Sequence, residues 1–128
     1  MDRKTARAVV AGHGTFAVGI VSAVEQITGR GDIFAAVTSI GLTPADIQSA
    51  IAAAMRESGA RVIFTDLPAG SCTMAARRML RDHPGVLLVT GVNLSVLLDF
   101  AMQEDSDPVV GAHAALERGK ASMMTFGA

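Results

Sequence analysis

Ala8-Val9-Val10-Ala11-Gly12-His13-Gly14 is a short apolar run that stops at a histidine set between two glycines. Apolar residues without polar alternation fit a strand buried on both faces, as a parallel sheet requires. Phe16, Ile20, Ala23, Val24 and Ile27 then recur at helical spacing, and Gly29 stands where a left-handed residue closes a helix. A strand followed by a helix is the unit from which doubly wound sheets are built, and the pattern repeats along the chain.

Residues 33–38 form the second expected strand. Thr43 reads as an N-cap, with Pro44 at the first helical position and Asp46 in the first turn. Ile47, Ala50, Ile51, Ala54 and Met55 make one apolar stripe that ends at Gly59. Residues 61–65 are the third strand, and 66–70 the loop leaving it. Ser71 reads as the cap of a helix through Met74, Ala75, Met79 and Leu80, with Arg77, Arg78 and Arg81 on its wet side. The fourth strand is 86–90, and Asn93 caps a helix over 94–103. Asp107-Pro108 starts a last helix expected to reach about Arg118 before Gly119, and Met123 to Phe126 read as a short terminal strand. Four strands alternating with helices predict an α/β fold: an open, doubly wound, mostly parallel sheet with helices on both faces. No repeat, low-complexity segment or linker divides the chain, so one domain over residues 1–128 is expected.

Composition narrows the function. Of 128 residues, half are hydrophobic and 18% charged, which supports a packed core and argues against disorder. The formal charge of −1 and a pI near 6.3 give no electrostatic case for a nucleic-acid partner. The absence of Trp and Tyr removes the stacking platforms of a single-strand binder. One cysteine excludes an internal disulfide framework and a multi-thiolate zinc cage. Mean hydropathy is high at +0.40. Even so, no apolar stretch approaches the roughly 18–20 residues that span a bilayer. The basic start, Met1 to Arg7, leads into an apolar run too short for a signal-peptide core. A soluble cytoplasmic protein with no membrane insertion is the expectation.

Ligands of doubly wound sheets bind beyond the carboxyl ends of the strands. Three loops fall there: Gly12-His13-Gly14, Asp66 through Ser71, and Gly91-Val92-Asn93. If strands 1 and 3 are neighbours, His13 and Asp66 overhang one crevice. His13 reads either as an ordinary exposed or structural histidine or as a reactive imidazole given access by its glycines. Asp66 reads either as a loop carboxylate in an Asx-type turn or as the acceptor for one ring N–H, leaving the other nitrogen a lone pair. Ser71 is an N-cap, a phosphate contact at a helix start, or both, and Gly70 allows close approach to the main chain. Cys72 reads as a small half-buried packing residue, and His83 as a solvated or helix-end histidine. His113 reads as a surface or interface residue, while Asp105 and Asp107 look like caps. The three histidines show no metal-ligand spacing. Neither GxGxxG nor GxxxxGK[ST] is present.

Taken in order, Val9 to Gly14, Phe64-Thr65-Asp66-Leu67 with Gly70-Ser71, and Thr90-Gly91-Val92-Asn93-Leu94 resemble the enzyme IIA component of the mannose family of the bacterial sugar phosphotransferase system. The resemblance spans about residues 8–126. It implies strand order 2-1-3-4 and a homodimer that exchanges the terminal strand as an antiparallel edge. It also implies that His13 takes a phosphoryl group from the phosphohistidine of the carrier HPr and passes it to a histidine of an enzyme IIB. Asp66 would be the hydrogen-bonding partner of His13, and Gly14, Gly70 and Ser71 would line the phosphate. The scheme needs no metal and no cofactor. Where the family loop commonly has Gly-Gly-Ser-Pro or Gly-Gly-Thr-Pro, this chain has Ala69-Gly70-Ser71-Cys72. Ala69 is ill suited to a backbone conformation reserved for glycine. Two other readings stay open: a regulatory phosphohistidine module, including a donor subunit of the dihydroxyacetone-kinase type, and a flavin or nucleotide binder at the same crevice.

Overall fold

The computed structural model describes residues 5–103 and 106–128. Its elements are β1 (Ala8–Gly12), α1 (Phe16–Thr28), a 3₁₀ turn (Gly31–Ile33), β2 (Phe34–Thr38), α2 (Pro44–Ser58), β3 (Val62–Thr65) and α3 (Ser71–Met79). They continue with β4 (Leu87–Val89), α4 (Leu94–Ala101) and α5 (Pro108–Ala121). The four strands form one parallel sheet in the order β2-β1-β3-β4. Every residue of β1 and β3 is buried, as strands covered on both sides must be.

Side chains alternate across the sheet into two cores. Val10, Phe34, Phe64 and Val62 pack with α1, α4 and α5, while Val9, Ala11, Ile63 and Val37 pack with α2 and α3. Phe34, Phe64 and Phe100 meet in the first core with ring centroids 5.2–6.3 Å apart.

α2 shows the local rules most fully. Thr43 Oγ1 accepts the Asp46 amide at 3.1 Å and Asp46 Oδ2 accepts the Thr43 amide at 3.2 Å, a reciprocal capping box. Asn93 likewise caps α4, and Asp107 caps α5 by accepting the Val109 amide. Asp105, also expected as a cap, lies outside the described residues.

Three expectations are corrected. α5 does not stop at Arg118 but runs through Gly119 to Ala121. Gly119 is a packing glycine: a Cβ there would collide with Val96 Cγ2, and its carbonyl accepts Asn93 Nδ2–H at 3.1 Å. Residues 123–126 form no strand within the single chain, because none of the described residues pairs with them and an isolated strand has no stability of its own. Met123, Met124 and Phe126 are exposed there. Finally, α3 is not capped by Ser71. Gly70 occupies the cap position and Ser71 is the first helical residue.

Candidate active site

β1 and β3 are hydrogen-bonded neighbours, with Ala11 opposite Thr65, so the residues that follow each strand emerge side by side. His13 and Asp66 are brought together by that register. Asp66 Oδ2 accepts both the His13 main-chain amide and ring Nδ1–H, each at 2.8 Å. Nδ1 is therefore the protonated nitrogen of the neutral ring, and Nε2 carries the lone pair. The imidazole is half exposed at 50%, while the Asp66 side chain is 10% exposed. Access and orientation are thus divided between the two residues.

Burial is the largest single influence on Asp66 and opposes its ionisation. The amide and ring hydrogen bonds from His13, with the charge of a protonated imidazole, together outweigh it and hold the carboxyl below its ordinary range. Asp66 Oδ1 is buried and accepts no hydrogen bond among the described residues.

The walls of the site come from two loops. Gly14 has φ +52°, and a Cβ there would enter open space. Its carbonyl accepts Thr38 Oγ1–H at 2.8 Å, which ties the His13 loop to the end of β2. Gly70, at φ +117°, lies close beside the imidazole: a Cβ would stand 3.1 Å from His13 Cε1 and 3.8 Å from Nε2. That crowding, together with the backbone angle, is why glycine rather than serine takes the cap position. Ala69 meets no such demand, since no residue other than glycine has positive φ among the described residues. Behind Gly70, the first-turn amides of α3 have no carbonyl one turn back, which makes them natural donors to an anion.

Other candidates fall away from this point. Cys72 is fully buried in the core under α2 and α3, rather than half-buried. Burial first, then the nearby Asp66 charge, push its thiol up, so it is no activated thiolate. His83 binds the Met79 carbonyl through Nδ1 at 2.8 Å at the end of α3, and His113 is exposed on α5. Asn93 spends its side chain on Val96 and Gly119, and Gly91 reaches the site's edge only by lying near Pro68. Among the described residues, no three His, Cys, Asp or Glu side chains are grouped to hold a metal ion, and no helix is long and apolar enough to cross a membrane.

A family model described as "PTS system fructose IIA component" of the mannose type matches residues 7–116. The chain belongs to this family. It is a phosphotransfer component of the IIA type in a sugar phosphotransferase system. Solved structures repeat the fold. The mannose/sorbose-specific IIA subunit from Enterococcus faecalis is 18% identical, with 97% of this chain and 96% of that chain covered and a TM-score of 0.81. The IIA protein associated with the fucose utilization operon of Streptococcus pneumoniae is 21% identical over 98% of this chain and 96% of that chain, at 0.80. The EIIA component from Streptococcus agalactiae is 20% identical over 88% and 93%, at 0.74. A comparison with curated protein sequences returns no match.

Sequence reading missed three hydroxyls that hold the IIA loops in place: Thr38, Thr65 and Thr73. Thr65 ends a strand and Thr73 lies in the first turn of the next helix, either side of the Asp66 loop. A hydroxyl closing an otherwise apolar buried strand was the available signal.

Proposed function

We propose that the chain is a cytoplasmic phosphocarrier, one domain over residues 1–128, in which His13 Nε2 accepts a phosphoryl group from phospho-HPr and donates it to a histidine of an enzyme IIB. The observation that carries this reading is the 2.8 Å bond from His13 Nδ1 to Asp66 Oδ2 in a ring whose other edge is open.

In the first transfer the Nε2 lone pair attacks phosphorus in line. The donor's P–N bond breaks, and its electron pair returns to the HPr imidazole. Nδ1 keeps its proton, so the phosphorylated ring gains positive character, which the ionised Asp66 offsets. Amides at the start of α3, the Ser71 hydroxyl and the main chain around Gly14 receive the phosphoryl oxygens. The second transfer reverses these steps onto the IIB histidine. Little covalent work falls to the protein. Positioning and charge compensation supply the rate.

The exposed Met123, Met124 and Phe126 follow the last helix, and β4 is an open edge of the sheet. Both suit a homodimer in which each tail pairs with the partner's edge. Truncation after Ser122 is then expected to convert a dimer to a monomer in sedimentation experiments.

Incubation with phosphoenolpyruvate, enzyme I and HPr should label the wild type, and His13→Ala should abolish labelling. A label persisting on His13→Ala overturns the assignment. Added IIB should drain the label. A label that stays through that chase but recruits another protein would favour a regulatory module.

A further inference from the structure

Thr65 and Thr73 are the buried polar side chains nearest this site, both 0% exposed. Thr73 Oγ1 donates to the Leu67 carbonyl at 2.6 Å, and the Thr65 and Thr73 hydroxyls lie 2.6 Å apart. A threonine hydroxyl has one proton, and a carbonyl has none to give. The Thr73 proton is committed to Leu67, so Thr65 donates to Thr73. One hydroxyl thereby binds the residue before Asp66 and the residue after it.

We propose that Thr73 is the positioning residue of the His13–Asp66 pair, holding the carboxylate through both of its chain neighbours. This rests on His13 being the phosphoryl acceptor. Three features give the clip its leverage. Asp66 follows β3 directly, so its aim depends on the backbone at 65 and 67. The Leu67–Pro68 peptide has no N–H, so its carbonyl is its one polar group, and the bond to Thr73 directs that group inward. A carbonyl turned outward there would set its negative end toward incoming phosphoryl oxygens. The clip also closes the loop from 67 to 73, and that loop presses Gly70 against the imidazole. A displacement of about 1 Å in such a constellation is enough to cost a hundredfold in rate.

The test compares Thr73→Val, Thr73→Ser and Thr65→Val. Each is assayed for phosphoryl transfer from phospho-HPr and for the ring ¹⁵N and Nδ1–H resonances of His13 in the unphosphorylated protein. Thr73→Val keeps the volume and removes both bonds. It should slow transfer by about tenfold or more, mainly in kcat rather than KM, and shift the Nδ1–H resonance. Thr73→Ser should restore both readouts to near wild type. Thr65→Val leaves the Leu67 bond and should slow transfer by less than Thr73→Val but measurably, which keeps the test decisive if Thr73→Val does not fold. A folded Thr73→Val with wild-type kcat and an unshifted ring overturns the proposal, as does an unaltered Thr65→Val. Failure of the wild type to accept phosphate would instead sink the phosphocarrier reading, and the ring resonances would still decide whether Thr73 aims the pair.

Discussion

The helix starts of this molecule divide into two kinds. α2, α4 and α5 begin on Thr43, Asn93 and Asp107, whose side chains accept an amide of their own first turn. α1 and α3 begin on Thr15 and Gly70 with no side-chain cap, and these are the helices that leave the His13 and Asp66 loops. A cap is worth about 1 kcal/mol, so an uncapped start forgoes stability that three other helices of the same chain collect. Capped starts serve the fold. The first amide of α1 is already given to the His13 carbonyl at 3.0 Å, whereas the start of α3 keeps amides and space for a visitor, which in the proposed reading is a phosphoryl group.

The substitution that attacks this division hardest is Gly70→Ala. Alanine at φ +117° is strained, and its methyl would press on the imidazole at 3.1 Å. Phosphoryl transfer is expected to fall about a hundredfold, and thermal unfolding should move down as well. Wild-type transfer in a folded Gly70→Ala protein would show that the open start of α3 has no part in the reaction.

Asp66→Asn comes next. It keeps the shape but removes the charge that balances a phosphorylated ring. A hydrogen bond to a charged group is worth about 1.5–3 kcal/mol, which corresponds to about ten- to a hundredfold in rate. The same carboxylate links stability to pH. Its folded-state pKa is lowered, so its contribution is present above the unfolded value and disappears as pH falls through the folded one. The stability advantage of wild type over Asp66→Asn should therefore be greatest near neutrality and vanish well below the carboxylate range. An advantage that is flat with pH would mean the carboxylate gains nothing from His13. Denaturant unfolding at several pH values measures it.

What the sequence made legible follows the same division. The capping box of α2 was readable because Thr43, Pro44 and Asp46 act within one turn. Strand and helix alternation was readable because buried strands carry unbroken apolar runs between glycines. Order 2-1-3-4 was not in the periodicity and entered through the family resemblance. Gly70 in the cap position was missed because its demand comes from His13, nearly sixty positions earlier in the chain. Gly119 misled for the same reason: read locally it ends a helix, whereas its lack of a side chain answers to Val96 across the α4–α5 contact. The His13–Asp66 juxtaposition was half legible, since each residue announced itself at a strand end but their meeting depended on a register that no local pattern encodes.

The smallest effects make the sharpest contrast, because two residues of similar chemistry at two helix starts should answer oppositely. Thr43 is tied into its capping box, whereas Ser71 stands one residue inside an uncapped helix. Thr43→Ala should lower stability by about 1 kcal/mol and leave phosphoryl transfer unchanged. Ser71→Ala should leave stability within about 0.5 kcal/mol of wild type, as a side chain that caps nothing has little to lose. Its transfer rate should nonetheless drop about tenfold, the worth of one hydrogen bond to a charged phosphoryl oxygen at the low end, about 1.5 kcal/mol. The crossed outcome requires that a hydroxyl's service to the fold and its service to the phosphate be separable. Should Ser71→Ala lose stability like Thr43→Ala and transfer normally, the serine would be a structural cap after all, and the distinction between the two kinds of helix start would collapse.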